Sequence, residues 1–301
     1  MYYSVYRYNF LFRMALCFCA LLCCVVASLP AQIDNEGNAE LSRNITSQGR
    51  EFWIAIPQND YANPLVNALE IYVTSSQQTT VTVEHAASRF VMTKEVKPYS
   101  VTTFTTRDAS ALWNWELTKS EIPQSGAIHV TAEHPVSVYV MSAKERSADG
   151  YTALPLQAWG REYLHCAYYD HYDQTLVKEW GGGFVVIAAD NGTEITLRLR
   201  GKNITGLGRT VGGRTIPNQQ KIILNKGETY VVQGNGQTLG TFDLTGTSIS
   251  ANKPIGVISY HQRAMLPSNN QNGRSYLVEM MPPVHAWGKK HVALEYQREG
   301  K

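Results

Sequence analysis

The sequence predicts an all-β chain of two tandem antiparallel β-sandwich units related by internal duplication, and three observations carry that expectation. The phrase AEHPVSVYVMS at residues 132–142 returns as ANKPIGVISYH at 251–261, with Pro135 and Pro254 separated by 119 residues. A second phrase recurs in the same order: AWGREYLHCAY from Ala158 and AWGKKHVALEY from Ala286. Apolar residues alternate on period 2 in short runs, and no segment sustains the 3.6-residue period of a helix. Two matched phrases in one order are the signature of a copied supersecondary unit.

Composition bounds the rest. The chain has 301 residues, 44% hydrophobic and 17% charged, with 17 Tyr and 6 Trp. That suits a folded, β-rich chain and argues against disorder. Formal net charge is +2. Arg7 and Arg13 account for it, because they lie in a leader without acidic residues. The body is therefore neutral and carries no basic run, so it offers no footprint for nucleic acid or an anionic membrane.

Residues 1–31 read as a secretory signal peptide. Arg7 and Arg13 precede an unbroken apolar run, MALCFCALLCCVVA, and Ser28-Leu29-Pro30-Ala31 supplies small residues before Gln32. The run is short for a membrane span, so export without stable insertion is expected. Four of the five cysteines leave with the leader, and Cys166 alone remains in the mature chain. An intrachain disulfide is then impossible, and the apolar core must hold the fold. Cys166 follows the Ala-Trp-Gly phrase on an apolar run and reads as a buried thiol.

Residues 32–48 form a polar, Asn-rich arm, 49–175 the first unit and 176–301 the second. Phe52-Trp53-Ile54-Ala55-Ile56, ended by Pro57, is a first strand. Residues 69–74 and 79–83 both alternate across a Ser-Ser-Gln-Gln turn and predict a hairpin. Alternation continues through Phe90, Val96 and Val101, and a short helical turn is expected near Trp113 and Trp115. Gly181-Gly182-Gly183 marks the boundary. Phe184-Val185-Val186-Ile187 opens the second unit as Phe52 opens the first, and Asn191-Gly192 predicts a tight hairpin turn. Thr193–Leu197 echoes Thr79–Val83, and the turn at Lys226-Gly227 matches the one at Lys97-Pro98. Pro135 and Pro254 are expected at strand starts, where a missing N–H costs nothing. Trp159 and Trp287 are expected as plugs in the core or between units.

The opening GREFWIAIPQN, the strand PVSVYVMS and the Leu-Pro…Trp-Gly-Arg-Glu-Tyr phrase resemble the N-terminal domain family of IgGFc-binding protein. The resemblance covers about residues 49–296. In animals it implies a mucus-associated secreted protein whose N-terminal region binds immunoglobulin Fc. In bacteria it implies a secreted or surface module beside adhesion-type domains, and the leader and the lack of mature disulfides resemble the bacterial type. The family brings no catalytic residue to carry over.

The densest chemistry lies in Tyr168, Tyr169, Asp170, His171, Tyr172 and Asp173. Exposed Tyr rings stack on sugars or serve as protein hot spots, but the carboxylates and His171 match no metal spacing. A polar connection between units is the plainer reading. His261 and Arg263 stand at a strand end, where Ser142 and Lys144 stand in the first copy. The glycines at 206, 208, 212 and 213 lack P-loop spacing and a following helix. No Gly-x-Ser-x-Gly or His-Glu-x-x-His occurs. Three sequons begin at Asn44, Asn191 and Asn203, and they matter only in a eukaryotic host.

The expected function is that of an exported, non-enzymatic adhesion or recognition module, secreted or at the cell surface. Its ligand would be a protein or glycan surface, with no cofactor, no metal and no nucleic acid. A carbohydrate-active enzyme or carbohydrate-binding module is the first alternative, and a passive spacer in a longer surface protein the second. Downstream domains in a longer chain fit all three.

Overall fold

The computed structural model describes residues 46–60, 68–106, 115–144, 147–173, 178–203, 208–235, 242–265 and 274–292. The leader and most of the polar arm, the stretch around Trp113, the first sequon asparagine, Asn44, and the side chain of Asn203 lie outside the described residues. All regular structure among the described residues is β-strand apart from single turns of 3-10 helix.

Two sheets of seven principal strands each follow one another. The first comprises β1 (Gln48–Ile54), β2 (Ala68–Thr74), β3 (Thr79–His85), β4 (Phe90–Val96), β5 (Val101–Thr105), β6 (Ile128–Lys144) and β7 (Ser147–Thr152). The second comprises β8 (Gly160–Leu164), β9 (Gly182–Ala188), β10 (Thr193–Leu199), β11 (Asn218–Leu224), β12 (Thr229–Asn235), β13 (Ser248–Ala264) and β14 (Ser275–Met280). A short strand, Arg209–Thr210, extends the second sheet beside β12. The first sheet runs β4-β3-β6-β2-β5, with β1 and β7 also on β6. The second runs β11-β10-β13-β9-β12, with β8 and β14 on β13. Strand order is therefore identical in the two copies, as the duplicated phrases predict.

Each copy is organised on one 17-residue strand, β6 or β13. The first half of β6 pairs with β3 through Val83↔Val130, and its second half with β2 through Tyr72↔Tyr139. The matching pairs in the second copy are Leu197↔Ile249 and Val186↔Val257. One long strand thus serves two layers: β1 and β3 flank its first half, β2 and β7 its second. The expected hairpins do not form. β2 and β3 both pair with β6 and not with each other, so the Ser-Ser-Gln-Gln turn crosses from one layer to the other. The Asn191-Gly192 turn does the same between β9 and β10. Gly192 still takes the positive φ of 64° that such a turn needs.

Pro135 and Pro254 stand mid-strand, not at strand starts. The register of β1 jumps from Gly49↔Val136 to Glu51↔Thr131, and that of β8 from Gly160↔Ile255 to Glu162↔Ser250. Residues 132–135 and 251–254 therefore have no partner on this edge. A proline is tolerated there for the expected reason, because its absent N–H would have gone unpaired on this side. In both copies the bulge falls on Gly-Arg-Glu, residues 49–51 and 160–162.

That equivalence changes the part played by the Ala-Trp-Gly phrase. Gly160–Leu164 pairs with β13, so the phrase from Ala158 opens the second sheet where it was expected to close the first. The counterpart of β1 is β8, and Phe184–Ile187 in β9 corresponds to β2.

Burial explains why β9 reads differently from β2. Every residue of β9 is buried. Phe184, Val186 and Ala188 face the core of the second copy, with Tyr163, Leu197, Ile249 and Val257. Val185 and Ile187 face the other way and join the first copy's core, beside Phe52, Val130 and Val138. A strand buried on both faces needs a continuous apolar run, whereas β2 alternates because only one of its faces is covered.

Candidate functional site

The predicted site segments meet in space at the end of the long strand β13. His261 in β13 is 1% exposed, and its Nε2 lies 2.8 Å from the Tyr169 carbonyl oxygen. Its Nδ1 accepts the Arg263 backbone N–H at 3.0 Å. One nitrogen donates and the other accepts, which describes a neutral imidazole with both positions engaged. Asp170 is 2% exposed and serves the backbone: its N–H donates to Phe242 O at 2.8 Å and its Oδ1 accepts Phe242 N–H at 2.9 Å. Tyr168 and Tyr169 are half-buried and meet edge to face at 5.8 Å. His171, Tyr172 and Asp173 form a short strand antiparallel to Lys178–Trp180, and their side chains lie outside the described residues.

Arg263 shows what the sequence reading missed. Its Nη1 lies 2.9 Å from Asp60 Oδ2, and its guanidinium sits 4.5 Å above the centre of the Trp180 ring. Trp180 Nε1–H in turn donates to Asp60 Oδ1. Asp60 and Trp180 lie 203 and 83 residues before Arg263, and no spacing rule connects them. A ladder of amides runs beside this pair. Tyr260 OH donates to Gln233 Oε1 at 3.1 Å, Gln233 Nε2 to Gln262 Oε1 at 3.0 Å, and Gln262 Nε2 to Gln58 Oε1 at 3.0 Å. The ladder passes from the second copy to the first.

The first copy has the equivalent arrangement. Lys144 holds the place of Arg263, and its Nζ lies 2.6 Å from Glu116 Oε1 with both side chains 4% exposed. Asn59 lies against this pair. Its N–H donates to Glu116 Oε1 at 3.2 Å, and its Nδ2 to Ser142 Oγ at 3.2 Å and Ser147 O at 2.6 Å. The dipeptide Asn59-Asp60 therefore reaches the ends of both long strands, with Asn59 at the first and Asp60 at the second. Tyr168, Tyr169 and Arg263 are each half-buried, and His261 links their segments by bonding the Tyr169 carbonyl and the Arg263 backbone N–H. The charge of Arg263 is locally compensated by Asp60.

Other candidates resolve differently. Among the described residues, no group of three or more His, Cys, Asp or Glu stands together at metal-binding distance. Cys166 is exposed, contrary to the expected buried thiol. It occupies an outward position of the extended run after β8, while its neighbour His165 turns inward at 1% exposure. The glycine-rich loop closes on a carboxylate: Glu121 accepts from Arg214 Nε at 2.6 Å and from Thr210 Oγ1 at 2.7 Å. A Cβ on Gly212 would collide with that carboxylate, so the loop cradles an acid and not a phosphate. No helix among the described residues is long and apolar enough to cross a membrane.

Comparison with known proteins matches these features to one family. The model of a family described as IgGFc binding protein matches residues 149–301, which hold the whole second sheet. The human IgGFc-binding protein is 27% identical over 166 residues, 55% of this chain. The chain spans only 3% of the length of that relative. No solved structure matches it. With half of its length covered by the family model, including β8 to β14 and both Ala-Trp-Gly turns, this chain belongs to the IgGFc binding protein family.

Proposed function

We propose that the chain is a non-enzymatic, exported recognition module that binds a protein partner through the surface formed by Tyr168, Tyr169 and Arg263. The observation that carries this reading is the seating of Arg263 by Asp60 and Trp180; Arg263 and Trp180 lie within the region that the family model matches. Arginine and tyrosine held in fixed rotamers lose little entropy on binding and dominate the energy of protein interfaces. His261 does not suit a general base, since both its ring nitrogens are engaged. The leader at residues 1–31 supports export. The name of the human relative makes the Fc fragment of immunoglobulin G the first partner to try.

Surface plasmon resonance of the mature chain on immobilised Fc fragment tests the proposal. Binding is expected, with Tyr169→Ala and Arg263→Ala each weakening it about 30-fold, equivalent to about 2 kcal/mol at a hot spot. Silence on Fc, or binding that both variants leave unchanged, counts against this surface. Capture of glycans in a parallel array would favour the carbohydrate-binding alternative.

A further inference from the structure

The turn between the two sheets is built a second time at residues 282–288. Leu-Pro-Leu-Gln-Ala-Trp-Gly at 154–160 becomes Pro-Pro-Val-His-Ala-Trp-Gly. Pro155 and Pro283 precede single 3-10 turns, Leu156–Ala158 and Val284–Ala286, with φ/ψ of −66°/156° and −65°/154°. Trp159 N–H donates to Leu156 O at 3.1 Å, and Trp287 N–H to Val284 O at 3.1 Å. Each indole Nε1–H returns to the backbone, at Leu154 O (3.1 Å) and Pro282 O (3.2 Å). The two turns are internally the same object.

Their surroundings differ. Trp159 is 5% exposed and lies on Gly256 of the long strand β13, where a Cβ would come 2.6 Å from its ring. The bulge glycine Gly160 is covered by the second turn, where a Cβ would come 2.5 Å from Pro283 and 2.7 Å from His285. Gly49 is covered in the same way by Pro155. In each copy, then, an edge strand opens on glycine and the proline turn that ends the copy closes over it. Trp287 is 43% exposed, Val292 is 86% exposed, and among the described residues the nearest atoms to a Cβ on Gly288 belong to Lys290 and His291 of its own segment, no closer than 3.6 Å. Burial matches through Pro283, Val284 and His285 and diverges from Ala286 onward. The half of the joint that belongs to the finished copy is seated, and the half that would belong to the next is open.

We propose that residues 286–292 are the opening edge strand of a further sandwich unit in the same polypeptide, and that Trp287 docks on a glycine of its long central strand. The established joint specifies the partner's chemistry. Gly288 pairs opposite an aliphatic residue that follows a proline, as Gly160 pairs with Ile255 after Pro254. The next residue is glycine, since an indole demands it, whereas in the first copy the smaller Gln48 stands opposite Ser137. The proline should follow Gly288 by a span like those from Gly49 to Pro135 and from Gly160 to Pro254, which are 86 and 94 residues.

Hydrogen exchange read by mass spectrometry tests this on two chains: the present one, and the polypeptide extended by one further repeat of 128 residues, the spacing of Ala158 and Ala286. In the present chain the amides of 288–292 should exchange at least about 100-fold faster than those of 160–164. Extension should slow them by a similar factor, and Trp287→Ala, harmless in the shorter chain, should then lower Tm by several degrees. Unchanged exchange at 288–292 in a folded extended chain overturns the proposal. A second variant needs no extension: replacing residues 154–157 by those at 282–285 should leave the protection of 160–164 within about 10-fold. Loss of that protection shows that the turns are not equivalent, and overturns it too.

Discussion

Lys144 and Arg263 occupy the same position in the two long strands, and each ends on a carboxylate, Glu116 at 2.6 Å and Asp60 at 2.9 Å. The pairs differ in exposure. The first is sealed at 4% on both sides, while the arginine of the second is 27% exposed. Removing one partner of a buried pair leaves a charge without compensation and costs about 3–5 kcal/mol, whereas water screens an exposed pair down to about 1 kcal/mol or less. Lys144→Met should therefore destabilise the protein far more than Arg263→Met. Urea midpoints with unchanged slopes would measure the difference, and equal losses would mean that the two sites are not buried as described.

The Trp159–Gly256 contact predicts a steep cost for a single methyl. The indole is held by its own hydrogen bond to Leu154 O and cannot move aside freely. Gly256→Ala should destabilise by about 1–3 kcal/mol through overpacking. Trp287→Ala in the same chain should stay within about 0.5 kcal/mol, as exposed positions do. Thermal melts of the two variants give the comparison.

The tight turns after β4 and β11 are equivalent, and both place a residue in the left-handed region: Tyr99 at φ 55° and Gly227 at φ 79°. Tyrosine pays for that conformation and, at 86% exposed, packs against little in return. Tyr99→Gly should leave stability equal or raise it by up to about 1 kcal/mol, because strain relief offsets the added freedom of the unfolded chain. Gly227→Ala should lower it by about 1 kcal/mol. A ligand that reads Tyr99 would show itself as lost binding in a variant that melts no lower.

Two buried histidines set the acid limit. Burial pushes the His165 pKa down to about 3 and that of His85 down to about 4. His165 Nδ1 lies 2.8 Å from Ser259 Oγ and its ring packs 5.0 Å from Phe184. Each folded pKa lies below the ordinary value of 6.5, so the unfolded chain takes up protons first as the pH falls. Stability from these groups is whole above about pH 6.5 and declines as the pH drops toward the folded values. His165 alone should cost about 2 kcal/mol by pH 5. His165→Gln should flatten the fall between pH 6.5 and 5 in denaturant titrations, and an unaltered slope would show that the ring is not buried neutral.

The sequence made the repeats legible because prolines, glycines and alternation are local marks. Thr193 and Thr79, the turns after β4 and β11, and the spacing of Pro135 and Pro254 all hold in the pairing registers. Pairing partners were not legible. Residues 69–74 and 79–83 look like a hairpin because each alternates beside a short turn, yet both find a longer partner in β6, whose two halves separate them. The continuous run at 184–187 looked like an opening strand, when its lack of alternation marks a strand between two cores. The site was half visible. His261, Arg263 and the tyrosines are dense local chemistry, while Asp60 and Trp180 reach Arg263 only through the fold.

The central claim is that one bent strand in each copy carries both layers, so that neighbouring strands in sequence are not neighbours in space. Cross-strand nuclear Overhauser contacts in the mature chain test it most directly. We expect contacts for Tyr72 with Tyr139 and Val83 with Val130, repeated as Val186 with Val257 and Leu197 with Ile249. A ladder joining residues 69–74 directly to residues 79–83, or a second copy paired in a different order, would contradict the account.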